Sequence, residues 1–173
     1  MRLFLLIPFA CLLLLAACAT LSEDACRAGD WSAIGARDGA AGRSPSWIAN
    51  HSEACADYGI APDRAEWEAG RQEGLLLYCR PERAWREGAA GRRLNDVCPA
   101  GDLRTLYRAN DRGLVHHRLE RQIDHAEDRI RDIDRLLRDL PPDDPRRGTL
   151  VAERARLRLE RLTLRTEQRL YTL

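Results

Sequence analysis

Four patterns of apolar and polar residues follow one another along this chain. Leu3 to Leu15 is an almost unbroken apolar run. From Cys26 to Cys98, short stretches of helix-forming residues are interrupted by glycines, and nowhere is there a convincing strand alternation. Val115, Leu119, Ile123, Ala126, Ile130, Ile133, Leu137 and Leu140 then recur in steps of three or four, the sustained stripe of a long helix. Pro141-Pro142-Asp143-Asp144-Pro145 ends it, because proline cannot continue a helix. A second helix, about 147–171, carries Leu150, Leu157, Leu164 and Tyr171 at seven-residue intervals, with Ala155, Leu159 and Leu162 broadening that face.

These patterns predict an all-α protein. Helix starts near Asp30, Ser46 and Pro62-Asp63, with stops at Gly59, after Cys79 and at Pro99, place short helices over 28–41, 46–57, 63–78 and 81–91. The two long stripes fold back as an antiparallel, coiled-coil-like hairpin over 102–173, with its Pro-rich loop near 141–145. Pairs such as Glu127–Arg131 and Asp134–Arg138 support its exposed faces by about 0.2–0.5 kcal/mol each. A two-helix hairpin carries more apolar surface than it buries alone. The 114–173 segment is therefore expected to pack on the preceding domain, on a protein partner or on another copy.

The glycines of the middle region form a degenerate repeat. Gly35 with Asp38-Gly39-Ala40-Ala41-Gly42-Arg43, Gly70 with Glu73-Gly74, and Glu87-Gly88-Ala89-Ala90-Gly91-Arg92 share an acid before a glycine, and the first and third share the run acid-Gly-Ala-Ala-Gly-Arg. Glycine inside a helix costs about 1 kcal/mol relative to alanine, so its recurrence needs a compensating gain. Close approach of another backbone supplies one. Gly35, Gly39, Gly70, Gly74, Gly88 and Gly91 are thus assigned to helix packing, with Trp31, Trp67 and Trp85 over the notches. Charges at Arg37, Asp38, Arg71 and Glu73 argue against a membrane-inserting glycine zipper, and no GxGxxG phosphate loop is present.

Residues 1–17 have the form of a secretory signal: Arg2, an apolar core, then small residues. The core is shorter than the roughly 20 residues that span a bilayer. Leu15-Ala16-Ala17-Cys18 resembles the bacterial lipobox, which implies cleavage before Cys18 and a diacylglyceryl group on its thiol. Each buried CH₂ contributes about 0.8 kcal/mol, so two or three acyl chains make a lasting anchor. Ala19 stands where inner-membrane retention typically has Asp, and the expected location is the periplasmic face of the outer membrane, with 18–25 as a linker.

With Cys11 in the leader and Cys18 lipidated, Cys26, Cys55, Cys79 and Cys98 remain to form two disulfides. Three pairings are open. Cys26–Cys55 with Cys79–Cys98 is favoured because it closes small loops, each stabilising by about 3 kcal/mol in the chain-entropy model. Domain 26–101 is then the disulfide-stabilised part. No Cys pair has zinc-site spacing, and His51 four residues before Cys55 is a weak signal. No C-x-x-C is present for redox chemistry.

Charge excludes little and adds little. The basic residues are 28 Arg with no Lys, against 27 acids. From Leu114 onward 14 Arg meet 12 acids, a mixed-sign solvated surface that gives no support to nucleic-acid binding. His116, His117 and His125 are read as exposed helix positions. No hydrolase motif such as G-x-S-x-G or HExxH occurs, and no catalytic residue, metal or cofactor is assigned.

The ordered set Cys26-Arg-Ala-Gly-Asp-Trp31, Ile34-Gly35, Asp38-Gly39, His51, Cys55, Tyr58-Gly59-Ile60, Gly70-Arg71, Gly74-Leu75, Tyr78-Cys79 and Val97-Cys98-Pro99 resembles a family of bacterial lipoproteins catalogued as domain of unknown function 2799, from about Cys18 to the end of the chain. The resemblance implies an envelope lipoprotein and supplies no catalytic residues. The functional expectation is a non-enzymatic scaffold or accessory protein. The alternative is a small-ligand or peptidoglycan-binding module using exposed rings of Trp31, Trp47, Trp67 and Trp85 as stacking platforms.

Overall fold

The computed structural model describes residues 20–173; the leader expected over 1–17 and the lipidation expected at Cys18 lie outside them. The chain folds into helices α1 Glu23–Ala28, α2 Trp31–Ala40, α3 Ile48–Ala56, α4 Arg64–Tyr78, α5 Pro81–Ala89, α6 Leu103–Asp139 and α7 Arg146–Arg169, with a short 3-10 turn at Pro45–Trp47 before α3. No strand occurs among the described residues. The fold class expected from the sequence is the one found.

Local chemistry sets the helix ends. Ser22 caps α1 through a hydrogen bond from the Ala25 N–H, and Asp30 caps α2 through one from Ala33. Gly29 between them is left-handed at φ 63°, so the helix expected over 28–41 begins only at Trp31, and α1 before it is an additional helix that the pattern did not predict. Asp63 accepts from the N–H groups of Ala65 and Glu66 at the start of α4. Asp102 accepts from Thr105 at the start of α6. Pro81 opens α5, where its missing N–H costs nothing. The stretch expected as a linker is built in as well: Leu21 packs on the first core and Glu23 already begins α1.

The chain divides into two compact units between Tyr78 and Cys79. This corrects the single domain expected over 26–101, because α5 packs on α6 and belongs with the hairpin. In the first unit α2 crosses α4 so closely that a methyl group at Gly35 would overlap the Trp67 carbonyl oxygen. Methyls at Gly39, Gly70 and Gly74 would likewise overlap the carbonyls of Arg71, Ser32 and Ala36. Beside this seam Cys26, Trp31, Ile34, Ile48, Cys55 and Trp67 form a buried core, and Cys26 is bonded to Cys55.

The second unit repeats the crossing. Gly88 of α5 meets the Asn110 carbonyl and Leu114 N of α6, as Gly39 of α2 meets the Arg71 carbonyl and Leu75 N of α4. Gly113 meets the Trp85 carbonyl and Ala89 N, as Gly74 meets the Ala36 carbonyl and Ala40 N. One helix of each pair is thus related by an offset of 49 residues and the other by 39. Gly35 and Gly70 correspond to Ala84 and Ala109, both buried. The two acid-Gly-Ala-Ala-Gly-Arg runs end their helices identically. The Arg43 N–H bonds to the Asp38 carbonyl and the Gly42 N–H to Gly39, and Arg92 and Gly91 bond in the same way to Glu87 and Gly88. Gly42 and Gly91 are left-handed, at φ 70° and 77°, and each lies against a ring of the opposing helix, Tyr78 or His117. Gly91, expected as a notch, is therefore the helix terminator, and Gly113 takes the notch.

Cys79–Cys98 fastens the start of the second unit. Beyond the crossing, α6 and α7 run antiparallel around Ala126, Ile130, Ile133, Leu137 and Leu157. Ion pairs Arg129–Glu153, Asp134–Arg154 and Glu127–Arg165 line the hairpin. In its loop Asp144 accepts from the backbone and guanidinium of Arg146, which holds its carboxyl down at about 2.

Two outcomes test this packing. Gly74→Ala is expected to destabilise the protein by about 1–3 kcal/mol in urea unfolding. Gly148→Ala, at a helical glycine with open space around it, is expected to stabilise by about 0.4–1 kcal/mol. In a carbon-13 NMR titration the Asp144 carboxyl is expected to titrate near pH 2, and in Arg146→Ala nearer its ordinary value. Since the folded value lies below the unfolded one, this contact's contribution is complete above the unfolded pKa of about 3.9 and fades as pH falls toward 2.

Candidate functional site

The polar centre of the first unit is built on Asp38 of α2. Its Oδ2 accepts hydrogen bonds from His51 Nε2 at 2.7 Å and from Trp67 Nε1 at 2.8 Å, joining α2, α3 and α4. The other face of the imidazole, Nδ1, lies 3.0 Å from Thr20 Oγ1. A Thr-His-Asp series has the composition of a nucleophile with its base and orienting acid. Thr20 Oγ1 also lies within hydrogen-bond reach of the Asn50 carbonyl, 3.1 Å away. With Nε2 donating to Asp38, a neutral imidazole presents Nδ1 to Thr20 as an acceptor, but the His51 side chain is only 3% exposed. What the arrangement does is fasten Thr20 onto α3.

A second polar feature recurs in both units. Arg71 is buried, donates to the Arg43 carbonyl at 3.0 Å and forms a two-pronged pair with Glu68, whose carboxyl is held below its ordinary value by that hydrogen bond. At the corresponding place in the second unit, buried Asn110 donates to the carbonyls of Arg92 and Ala84 and accepts from the Leu94 N–H. Each side chain ties the turn after the glycine cap to the opposing helix. Beside Asn110, Glu87 is buried between Arg83 at 2.9 Å and Arg92 at 2.6 Å.

The rings expected as stacking platforms are engaged. Trp31 and Trp67 are buried core residues, and the Arg43 guanidinium lies 3.8 Å over the Trp47 ring. Trp85 donates its N–H to the Tyr171 carbonyl and meets His116 edge-on. The physical reason is size: rings beside a glycine notch fill the space the notch leaves. His117 packs on Gly91 and Ala89, while His125 is exposed. Cys55, four residues from His51, is spent in its disulfide. Among the described residues no cluster of three or more His, Cys, Asp or Glu is arranged to hold a metal ion.

The hairpin offers a different surface. Leu150 and Leu157 of α7 face α6, but Ala155, Leu159 and Leu162 do not broaden that face as expected. They lie on the opposite side, with Leu159 67% and Leu162 55% exposed. Val151 and Leu170 belong to the same outer stripe. The recurrence that marks it is eleven residues, Val151 to Leu162, Ala155 to Thr166 and Leu159 to Leu170, and it is hidden by the seven-residue recurrence of the inner face. A shallow groove of about 420 Å³ between the two helices is lined by Arg118, Arg121, His125, Leu157 and Glu160 among others.

Asp38→Ala leaves Trp67 Nε1 and His51 Nε2 without their acceptor. It is expected to lower stability by about 1–3 kcal/mol by denaturant titration. Glu53→Ala, on the exposed side of α3, is expected to change it by less than about 0.5 kcal/mol.

Neither a curated protein nor a solved structure matches the chain. A family does, over 30–114 and not from Cys18 to the end as the resemblance implied. The matched segment begins at the cap of α2 and ends one residue beyond Gly113, so it holds both glycine crossings and stops where the hairpin stripe begins. By that match this segment belongs to the family described as Protein of unknown function (DUF2799).

Proposed function

We infer that the protein is a non-catalytic, lipid-anchored accessory or scaffold of the cell envelope that works by protein contact through its helical hairpin. The observation that carries this reading is the outer face of α7, where Val151, Leu159, Leu162 and Leu170 stand 45–70% exposed on one side of a helix whose other side is already packed. A contiguous apolar stripe of this kind marks an interaction surface. The polar centres support it from the other direction. Asp38 with His51 and Trp67, and Asn110 with Ala84 and Arg92, hold helices and the turns after them together.

The anchor is read from the leader and Leu15-Ala16-Ala17-Cys18, and the periplasmic face of the outer membrane from Ala19. Thr20, two residues after Cys18, is held by Asn50 and His51, which is compatible with an anchor just before it. The mature chain is close to neutral, so acyl chains and not anionic lipid would carry the attachment.

Cys18→Ser is expected to move the protein from the membrane to the soluble fraction of disrupted cells, and 1 M salt is expected not to release the wild type. Continued membrane fractionation of the variant would refute the anchor. A photocrosslinking residue at Leu159 is expected to capture protein in intact cells, and the same residue at Arg131, on α6, is not.

A further inference from the structure

Resting on the hairpin reading above, we propose that the outer face of α7 pairs with α7 of a second copy of this chain, parallel and in register. The stripe is Val151, Ala155, Leu159, Leu162, Thr166 and Leu170. Eleven residues make three turns of an α-helix plus about 20°, so a stripe with this recurrence runs nearly straight along the helix, for about 29 Å from Val151 to Leu170. A straight seam suits another helix lying along its whole length. A lipid surface imposes no such register.

The flanks choose the partner and its direction. On one side of the stripe stand Arg154, Arg158, Arg165 and Arg169; on the other stand Glu160 and Glu167, with Arg156 paired to Glu160. Two α7 helices packed antiparallel would set the arginine flank of one against the arginine flank of the other. Packed parallel, each arginine flank meets the flank that carries Glu160 and Glu167. Arg158 and Arg165 reach Asp134 and Glu127 on α6 and are still about half exposed, so each keeps donors that those pairs do not use. An anionic membrane would attract one flank and repel the other. Charge complementarity therefore favours a second copy over a bilayer.

The full chain carrying Val151→Cys, oxidised in its own membranes, is expected to form a covalent dimer through residue 151. Adding Leu159→Glu, which leaves the packed side of α7 intact, is expected to reduce its yield at least about tenfold. A covalent dimer that forms only when Val151→Cys chains are mixed with Leu170→Cys chains overturns the parallel register. Single chains throughout, by oxidation and by sedimentation in mild detergent at about 100 µM, overturn the pairing. If a crosslinker at Leu159 then attaches to one defined envelope protein, the hairpin reading survives without self-pairing. If it attaches only to lipid, both fall.

Discussion

The constraint on which both units depend is the contact of one helix backbone with another. Where Gly35 and Gly39 face Gly70 and Gly74, carbonyl oxygens occupy the positions that Cβ atoms would need. Side chains are thereby excluded from the seam itself and displaced to its edges, where Trp31, Ile34 and Trp67 are buried on one side and Leu75 with Tyr78 toward the other end. The loss of helix propensity at four glycines, about 1 kcal/mol each, is offset only if those flanking residues close over the seam. The core is consequently made of few, large side chains.

Bringing two backbones together also commits the turn that follows. In each unit the chain leaves its first helix through a left-handed glycine, and the next carbonyl, of Arg43 or Arg92, points at the opposing helix with no backbone donor there to meet it. A buried polar side chain supplies the donor. Arg71 does so with a long charged group that must be neutralised by Glu68, and Asn110 does so with a short neutral one that needs no counter-ion. The two units solve one geometric problem with different chemistry. Ala84 and Ala109 standing where the first unit has Gly35 and Gly70 show that the outer notch admits a methyl in one and none in the other.

The parts of this arrangement written in glycine, proline and periodic leucine were readable from the sequence. The doubled acid-Gly-Ala-Ala-Gly-Arg run marked a repeated close packing of helices, though not that its second glycine ends the helix; the proline cluster placed the hairpin loop, and Ile123 to Leu137 placed its core. The division at Tyr78 was not readable, because whether α5 joins the helices before or after it depends on Gly113, a lone glycine inside an otherwise polar stretch of α6. Nor was the role of Asp38. A carboxylate between alanines and glycines on a short helix gives no sign that His51 and Trp67 will converge on it from two later helices. On α7 the leucines themselves misled: two faces of one helix, seven-residue inside and eleven-residue outside, overlap in the sequence as a single broad face.

The disulfides add something about how the chain gets to this state. Cys26 is joined to Cys55 and Cys79 to Cys98, so bonded cysteines are consecutive in chain order. A chain that emerges from its amino end into an oxidant can close the first bond before Cys79 has appeared, and the second before the hairpin has. Neither bond has to wait for a distant partner, and no wrong pairing has to be undone between them. Among these four cysteines, the order of arrival favours the native pairs over the two alternatives.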